Sequence, residues 1–259
     1  MKAAWLGLVG LGTLLSLPAA GIATQPLETE TARVLPSGAL ELETTFEYQT
    51  SSEGQELATP LALEYGVTDR LELLVEPVFY TAILPKTGAH AKGLGDVEVT
   101  ATYLAIRESG AFPALAFAAE VKVPTARNKL IGTGSTDYTG YLIASKRFGA
   151  FDTHANLSYA IIGEPAGTTL NNVFGLALAA EWHLNPKLDL VGEFLTNTAA
   201  APEGSSEQDP LNPEVAGAEM VGMLGTQYQI APKVMLALGV TYDNNQAVLI
   251  RPGLTFFLR

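Results

Sequence analysis

The sequence predicts an all-β protein, a single up-and-down antiparallel β-barrel of about 12 strands that crosses a membrane. Three observations predict it. The chain is 47% hydrophobic and only 16% charged. Beyond its first residues, however, no run approaches the roughly 18 apolar residues of a spanning helix. Hydrophobic side chains instead recur at every second position, the period of a strand with one apolar and one polar face. Short and long connections also alternate along the chain, as they do between the two ends of a transmembrane barrel. A closed barrel satisfies every backbone hydrogen bond within itself and hides polar side chains inside, so it reconciles an apolar composition with the lack of an apolar helix.

The elements follow in order. Residues 1–23 carry one positive charge at Lys2, an apolar run from Ala3 to Leu17 and then small residues. This is the pattern of a secretory signal peptide, with cleavage after Ala20 or, preferably, Ala23. An uncleaved N-terminal anchor is the alternative. Residues 24–259 then form one domain, the barrel. The alternation places strands at 38–50, 55–66, 70–81, 95–107, 113–123, 135–148, 152–163, 171–184, 187–198, 214–230, 233–243 and 247–258. In ALELETTFEYQ, Leu40, Leu42, Thr44, Phe46 and Tyr48 point one way and Glu41, Glu43, Thr45, Glu47 and Gln49 the other. A helix would set Glu41 and Glu43 about 200° apart and scatter that division.

Short turns are expected at 66–70, 108–113, 149–151, 185–187 and 231–233, and longer segments at 82–94, 124–134, 164–170 and 199–213. The stretch at 199–213 has the composition of an interdomain linker, but alternation resumes after it, so it reads as an external loop. Trp182, Tyr65, Phe79, Tyr103, Phe148, Tyr159, Tyr228, Tyr242 and Phe256 fall near strand ends or on the apolar face, where amphipathic rings favour a membrane interface.

The polar face carries the chemistry. Alternation assigns to it Glu41, Glu43, Glu47, Glu64, Glu72, Glu76, Asp96, Glu98, Glu120, Glu181, Asp189 and Glu193, with Lys122, His154 and Arg251 among them. In a membrane barrel this face is the lumen, because a charge facing lipid costs about 2–4 kcal/mol near the midplane. An acidic lumen favours cations or polar neutral solutes. Alternatively the lumen is filled by its own side chains and passes nothing.

Other chemistry is poorly supported. Acidic residues number 27 against 15 basic ones, a net charge of −12 without a basic stripe, which excludes nucleic acid as a partner. The chain has no cysteine, so neither a disulfide framework nor a lipid-modified cysteine is available. The segment IGTGSTDYTG, Ile131 to Gly140, has glycines among hydroxyl residues but no lysine before its Ser/Thr pair, and a strand follows it. A phosphate loop needs that lysine and a helix, so this is a turn shaping the outer mouth of the barrel. His90, His154 and His183 show neither metal-ligand spacing nor a motif supplying both nucleophile and base. No enzyme activity, cofactor or metal is expected.

The runs GLGDVEVTATYLAIRE, FPALAFAAEVKVPTA and GTGSTDYTGYLIASKRFGAFDTHANLSYAIIG, together with TETARVLPSGALELE, resemble the outer-membrane transporter family labelled for the meta-pathway of phenol degradation. The resemblance is strongest over 93–163. It implies an outer-membrane barrel that takes up small compounds, aromatic ones among them, with lipid, a small-molecule solute and the barrel-assembly machinery as partners. It transfers no catalytic motif. One departure is the end of the chain, Phe256-Phe257-Leu258-Arg259, where many outer-membrane barrels finish on an aromatic residue. The function expected is passive uptake through an acidic lumen. The rival is a non-conducting structural or ligand-binding barrel of the outer membrane or periplasm.

Overall fold

The structure, a computed structural model, describes residues 27–165, 167–202 and 217–258. The expected cleavage sites after Ala20 and Ala23, most of the 199–213 loop and the terminal Arg259 lie outside the described residues.

Among the described residues, fourteen strands form one antiparallel sheet. They are β1 (Leu40–Thr45), β2 (Glu47–Thr50), β3 (Gly54–Thr68), β4 (Leu71–Pro85), β5 (Ala91–Gly93), β6 (Val97–Ile106) and β7 (Ala114–Val123). The remainder are β8 (Asp137–Phe148), β9 (Phe151–Ile161), β10 (Val173–Asn185), β11 (Leu188–Asn197), β12 (Glu219–Ala231), β13 (Val234–Asp243) and β14 (Val248–Phe257). Each long strand pairs with its neighbours in sequence, and β14 closes the sheet on β1 and β2, with Glu41 opposite Phe257 and Tyr48 opposite Ile250.

The barrel has twelve staves, because β1 and β2 are two parts of one and β5 is a short appendage of β4. β1 and β2 keep a common register against both neighbours and separate only at Phe46. That register sets Phe46 opposite Pro252, whose carbonyl accepts the Phe46 amide at 3.0 Å but which has no N–H to return. Pro60 removes another donor on the β3 side. The segment expected as a loop at 82–94 is shorter than the sequence suggests, because β4 runs on through Pro85 and β5 pairs with its end at Ile83↔Ala91.

One end of the barrel carries the short turns and the other the long connections; we call them the turn end and the loop end. Large apolar side chains cover the outside. Tyr103, Phe148, Phe151, Trp182 and Tyr228 are exposed near the turn end and Phe79, Tyr138, Tyr159, Phe174 and Tyr242 near the loop end. Leu73, Val99, Leu142, Leu178, Leu190, Leu224 and Leu238 lie exposed between them. Phe151 stacks on Trp182 with centroids 5.6 Å apart, and Tyr159 meets Phe174 at 4.6 Å. Two aromatic girdles about an aliphatic band are the outer surface of a transmembrane barrel.

The residues before β1 do not trail away. Leu27–Leu35 runs through the barrel interior without strand pairing, and Leu27, Thr29, Thr31, Ala32 and Leu35 are fully buried there. The segment passes in at the turn end, where Gly38 donates its amide to the Gly66 carbonyl (2.7 Å) and the Gly66 amide reaches the Ala39 carbonyl (3.0 Å). Gly66 permits this approach: a Cβ there would stand 2.1 Å from the Pro36 carbonyl oxygen. Ala114, Ala116 and Ala118 of β7 turn only methyl groups inward, which leaves room for Ala32 and Val34 to pack against them. At the far end Leu27 packs on Ala179, Val191 and Met223.

Candidate functional site: the barrel interior

The interior divides into two halves. Residues 27–35 cross the turn-end half, and a cavity of about 250 Å3 occupies the loop-end half.

Polar groups on the wall hold the crossing segment by its backbone. Glu193 accepts the amides of Glu28 and Thr29 and the Thr29 hydroxyl. Asn156 forms a reciprocal pair with Glu30, accepting its amide at 2.6 Å and donating to its carbonyl at 2.8 Å. Ser145 accepts the Ala32 amide (2.8 Å), and Glu72 accepts that of Leu35 (2.6 Å). A buried extended segment has no ladder of its own, so wall side chains must supply its partners. Charges lock it at two places. Arg251 on β14 pairs with Glu28 and with Glu47 (2.8 Å). At the turn end Arg33 reaches Asp152 (2.6 Å) and Glu108 (2.9 Å); Lys146 also pairs with Glu108 and Arg147 with Asp152.

Glu108 lies in the turn between β6 and β7. Burial acts to raise its carboxyl, but hydrogen bonds from Lys146, Arg33 and the Arg147 amide outweigh that and hold it down at about 2. A depressed folded value stabilises the fold above the unfolded value near 4.5, and this contribution is lost as pH falls through about 2. The expected result for Glu108→Gln is a stability deficit that stays constant above about pH 4.5, narrows below it and vanishes near pH 2. Urea-unfolding midpoints of both proteins across that range check it.

The residues singled out from the sequence fall as follows. Glu41, Glu43, Glu64, Glu72, Glu76, Asp96, Glu98, Glu120, His154, Glu181, Glu193 and Arg251 are buried on the inner face. Glu47, Lys122 and Asp189 are half-buried. Asp189 sits at the turn end, 2.9 Å from His183. The distribution is uneven. Glu41, Glu43, Glu64, Glu72, Glu76, Glu98 and Glu120 crowd the wall from β1 to β7, whereas Arg33, Lys146, Arg147, His154 and His183 gather by β8 to β10.

His154 bridges Ser145 Oγ (2.8 Å) and Glu181 (3.1 Å), an arrangement with the composition of a hydrolase triad that spacing along the chain did not reveal. Ser145 is only 1% exposed, and its oxygen is already occupied by the Ala32 amide and the Thr31 hydroxyl. A nucleophile needs an open approach for its substrate. The trio instead anchors the crossing segment.

The glycine-rich stretch also has a place. Ile131 and Gly132 are buried at the loop end, where Ile131 packs on Ile83 and Ala91. A Cβ on Gly132 would lie 2.6 Å from Asp96 Oδ2. Thr125 and the Ala126 amide fasten the same loop to the Gly95 carbonyl and to Asp96 (both 2.9 Å), so the β7–β8 connection folds over part of the mouth. Ile131, Gly132, Thr133, Asp137 and Thr139 line the cavity.

Residues 23–248 match the family described as "Putative MetA-pathway of phenol degradation". The chain belongs to this family. No curated protein sequence matches it. In fold, this family member is similar to the COG4313 outer membrane channel from Pseudomonas putida F1, at 14% identity and a TM-score of 0.66 over 87% of this chain and 97% of that one. It is also similar to the NanC porin, at 13% identity and a TM-score of 0.59 over 84% of this chain and 100% of that one. The KdgM porin in complex with disordered oligogalacturonate aligns at 8% identity and a TM-score of 0.58, over 85% of this chain and 99% of that one. At such identities the likeness is one of fold.

Proposed function

We propose that this protein is exported by a cleaved signal peptide, inserted into the outer membrane by the barrel-assembly machinery, and acts there as a passive channel for small molecules. The observation that carries the reading is the acid-walled cavity at the loop end of a closed barrel with a lipid-compatible exterior. Glu98, Glu120 and Asp96 on one side of the cavity set a negative potential that favours cations and polar neutral solutes. Apolar side chains on the other side suit a ring. The family description and this mixed lining together support aromatic compounds as solutes.

A second reading has its own support. Residues 27–35 fill the turn-end half, which suits a barrel that binds a ligand without conducting. Single-channel recording of the refolded mature protein in a planar bilayer, under a salt gradient, separates the two. Discrete steps with a cation-selective reversal potential are expected. A silent bilayer, with heat-modifiable migration intact, would select the ligand-binding barrel.

A further inference from the structure

The cavity has two unlike walls. β6 to β8 and the residue before them contribute four of the acids, while the side built from β9 to β12 is mixed, with Ile162, Val173, Leu176, Leu195 and Val221 beside polar residues and one acid, Glu219. Among the described lining residues, Asp96, Glu98, Glu120, Asp137 and Glu219 stand against Lys122 alone.

The protein supplies donors to several of these acids. Glu120 receives the Tyr141 hydroxyl (2.8 Å) and the Thr139 hydroxyl (3.4 Å). Asp96 receives the Ala126 amide (2.9 Å). Asp137 receives the Gly163 amide (2.8 Å) and pairs with Lys122. Glu98 differs. It is 5% exposed, it lines the cavity, and its Oε2 has no hydrogen-bond partner among the described residues. Opposite it across the β4–β6 pair stands Glu76, also buried and also with an unpartnered Oε2. Like charges directly opposite each other weaken a sheet. Lys122 flanks Glu98 in register on β7 but is engaged by Asp137. A buried acceptor without a donor is rare and needs a reason.

We infer that the cavity binds small organic ammonium compounds, with Glu98 accepting an N–H of the ammonium group and the apolar wall receiving a compact ring. This rests on the channel reading and names its substrate class. An ammonium brings three donors and a charge, whereas a hydroxyl brings one donor and none. The first matches an acid-rich lining with an unsatisfied oxygen, and charge-assisted hydrogen bonds are the stronger kind. Size also fits, since an apolar cavity of about 150 Å3 already holds benzene.

Calorimetric titration of the refolded full-length barrel at pH 7 with benzylammonium chloride, benzyl alcohol and sodium benzoate tests this. Benzylammonium is expected to bind about tenfold more tightly than the alcohol, with benzoate weakest. Glu98→Gln is expected to bring the ammonium level with the alcohol. Equal affinity for ammonium and alcohol overturns the inference, as does a preference that survives in Glu98→Gln. The wild-type ranking stands without any variant. Conductance of the same preparation keeps the two readings apart. Current steps without an ammonium preference leave the channel and remove the site. An ammonium preference in a silent bilayer leaves the site and removes the channel.

Discussion

Arg251→Met is expected to destabilise the barrel by about 3–5 kcal/mol, the cost of leaving buried charges without their partner. Arg251 is buried between Glu28 and Glu47, and Glu193 lies close enough to act on it. Methionine matches much of its length but leaves acids facing one another in a confined space. It also releases the far end of the crossing segment from β14. Loss of the cation, rather than of packing, should dominate. Adding Glu28→Gln and Glu47→Gln to Arg251→Met should therefore recover most of the deficit, because removing a whole buried ionic group costs much less than removing one member. Denaturant midpoints of the two variants, compared with wild type in the same detergent, decide it. A triple variant no more stable than Arg251→Met would assign the effect to packing.

Excision of residues 27–35 is expected to raise single-channel conductance several-fold while keeping cation preference. The segment occupies the half of the interior nearest the turns, and its side chains and backbone fill space that water would otherwise take. Glu41, Glu43, Glu64, Glu72 and Glu76 belong to the strands and stay behind, so the sign of the field persists. Conductance unchanged from wild type would show that ions already pass beside the segment, and that its role is to brace the wall.

Much of the fold was legible because a strand's alternation is a property of its backbone. The expected spans 135–148 and 233–243 became Asp137–Phe148 and Val234–Asp243. The exceptions have local causes. The break at Phe46 leaves the alternation intact and arises from Pro252 and Pro60, which lack donors. The reach of β4 to Pro85 was obscured by consecutive exposed residues at Phe79 and Tyr80, which shift the period by one, and by the nearby Pro85 and Gly88. The crossing segment was not legible at all. Its Glu28 and Glu30 alternate with Thr29 and Thr31, polar on both sides, so no apolar periodicity marks it as buried. Only closure of the barrel brings Glu193, Asn156 and Ser145 around it, from positions 165, 126 and 113 residues along the chain. The family assignment was legible from extended matching runs. Which acids would lack donors was not, because that depends on where Lys122 and Tyr141 turn.

The contact between Glu28 and Arg251 spans 223 residues. Arg251 belongs to the final stave, so this one tie cannot form until the last strand has been laid down, whereas Glu193, Asn156 and Ser145 hold the same segment from earlier strands. Contacts of such long sequence separation are slow to form. The tie between the N-terminal thread and β14 is therefore among the last contacts the chain can make. Once made, it pins the two ends of the described chain to each other inside the closed cylinder.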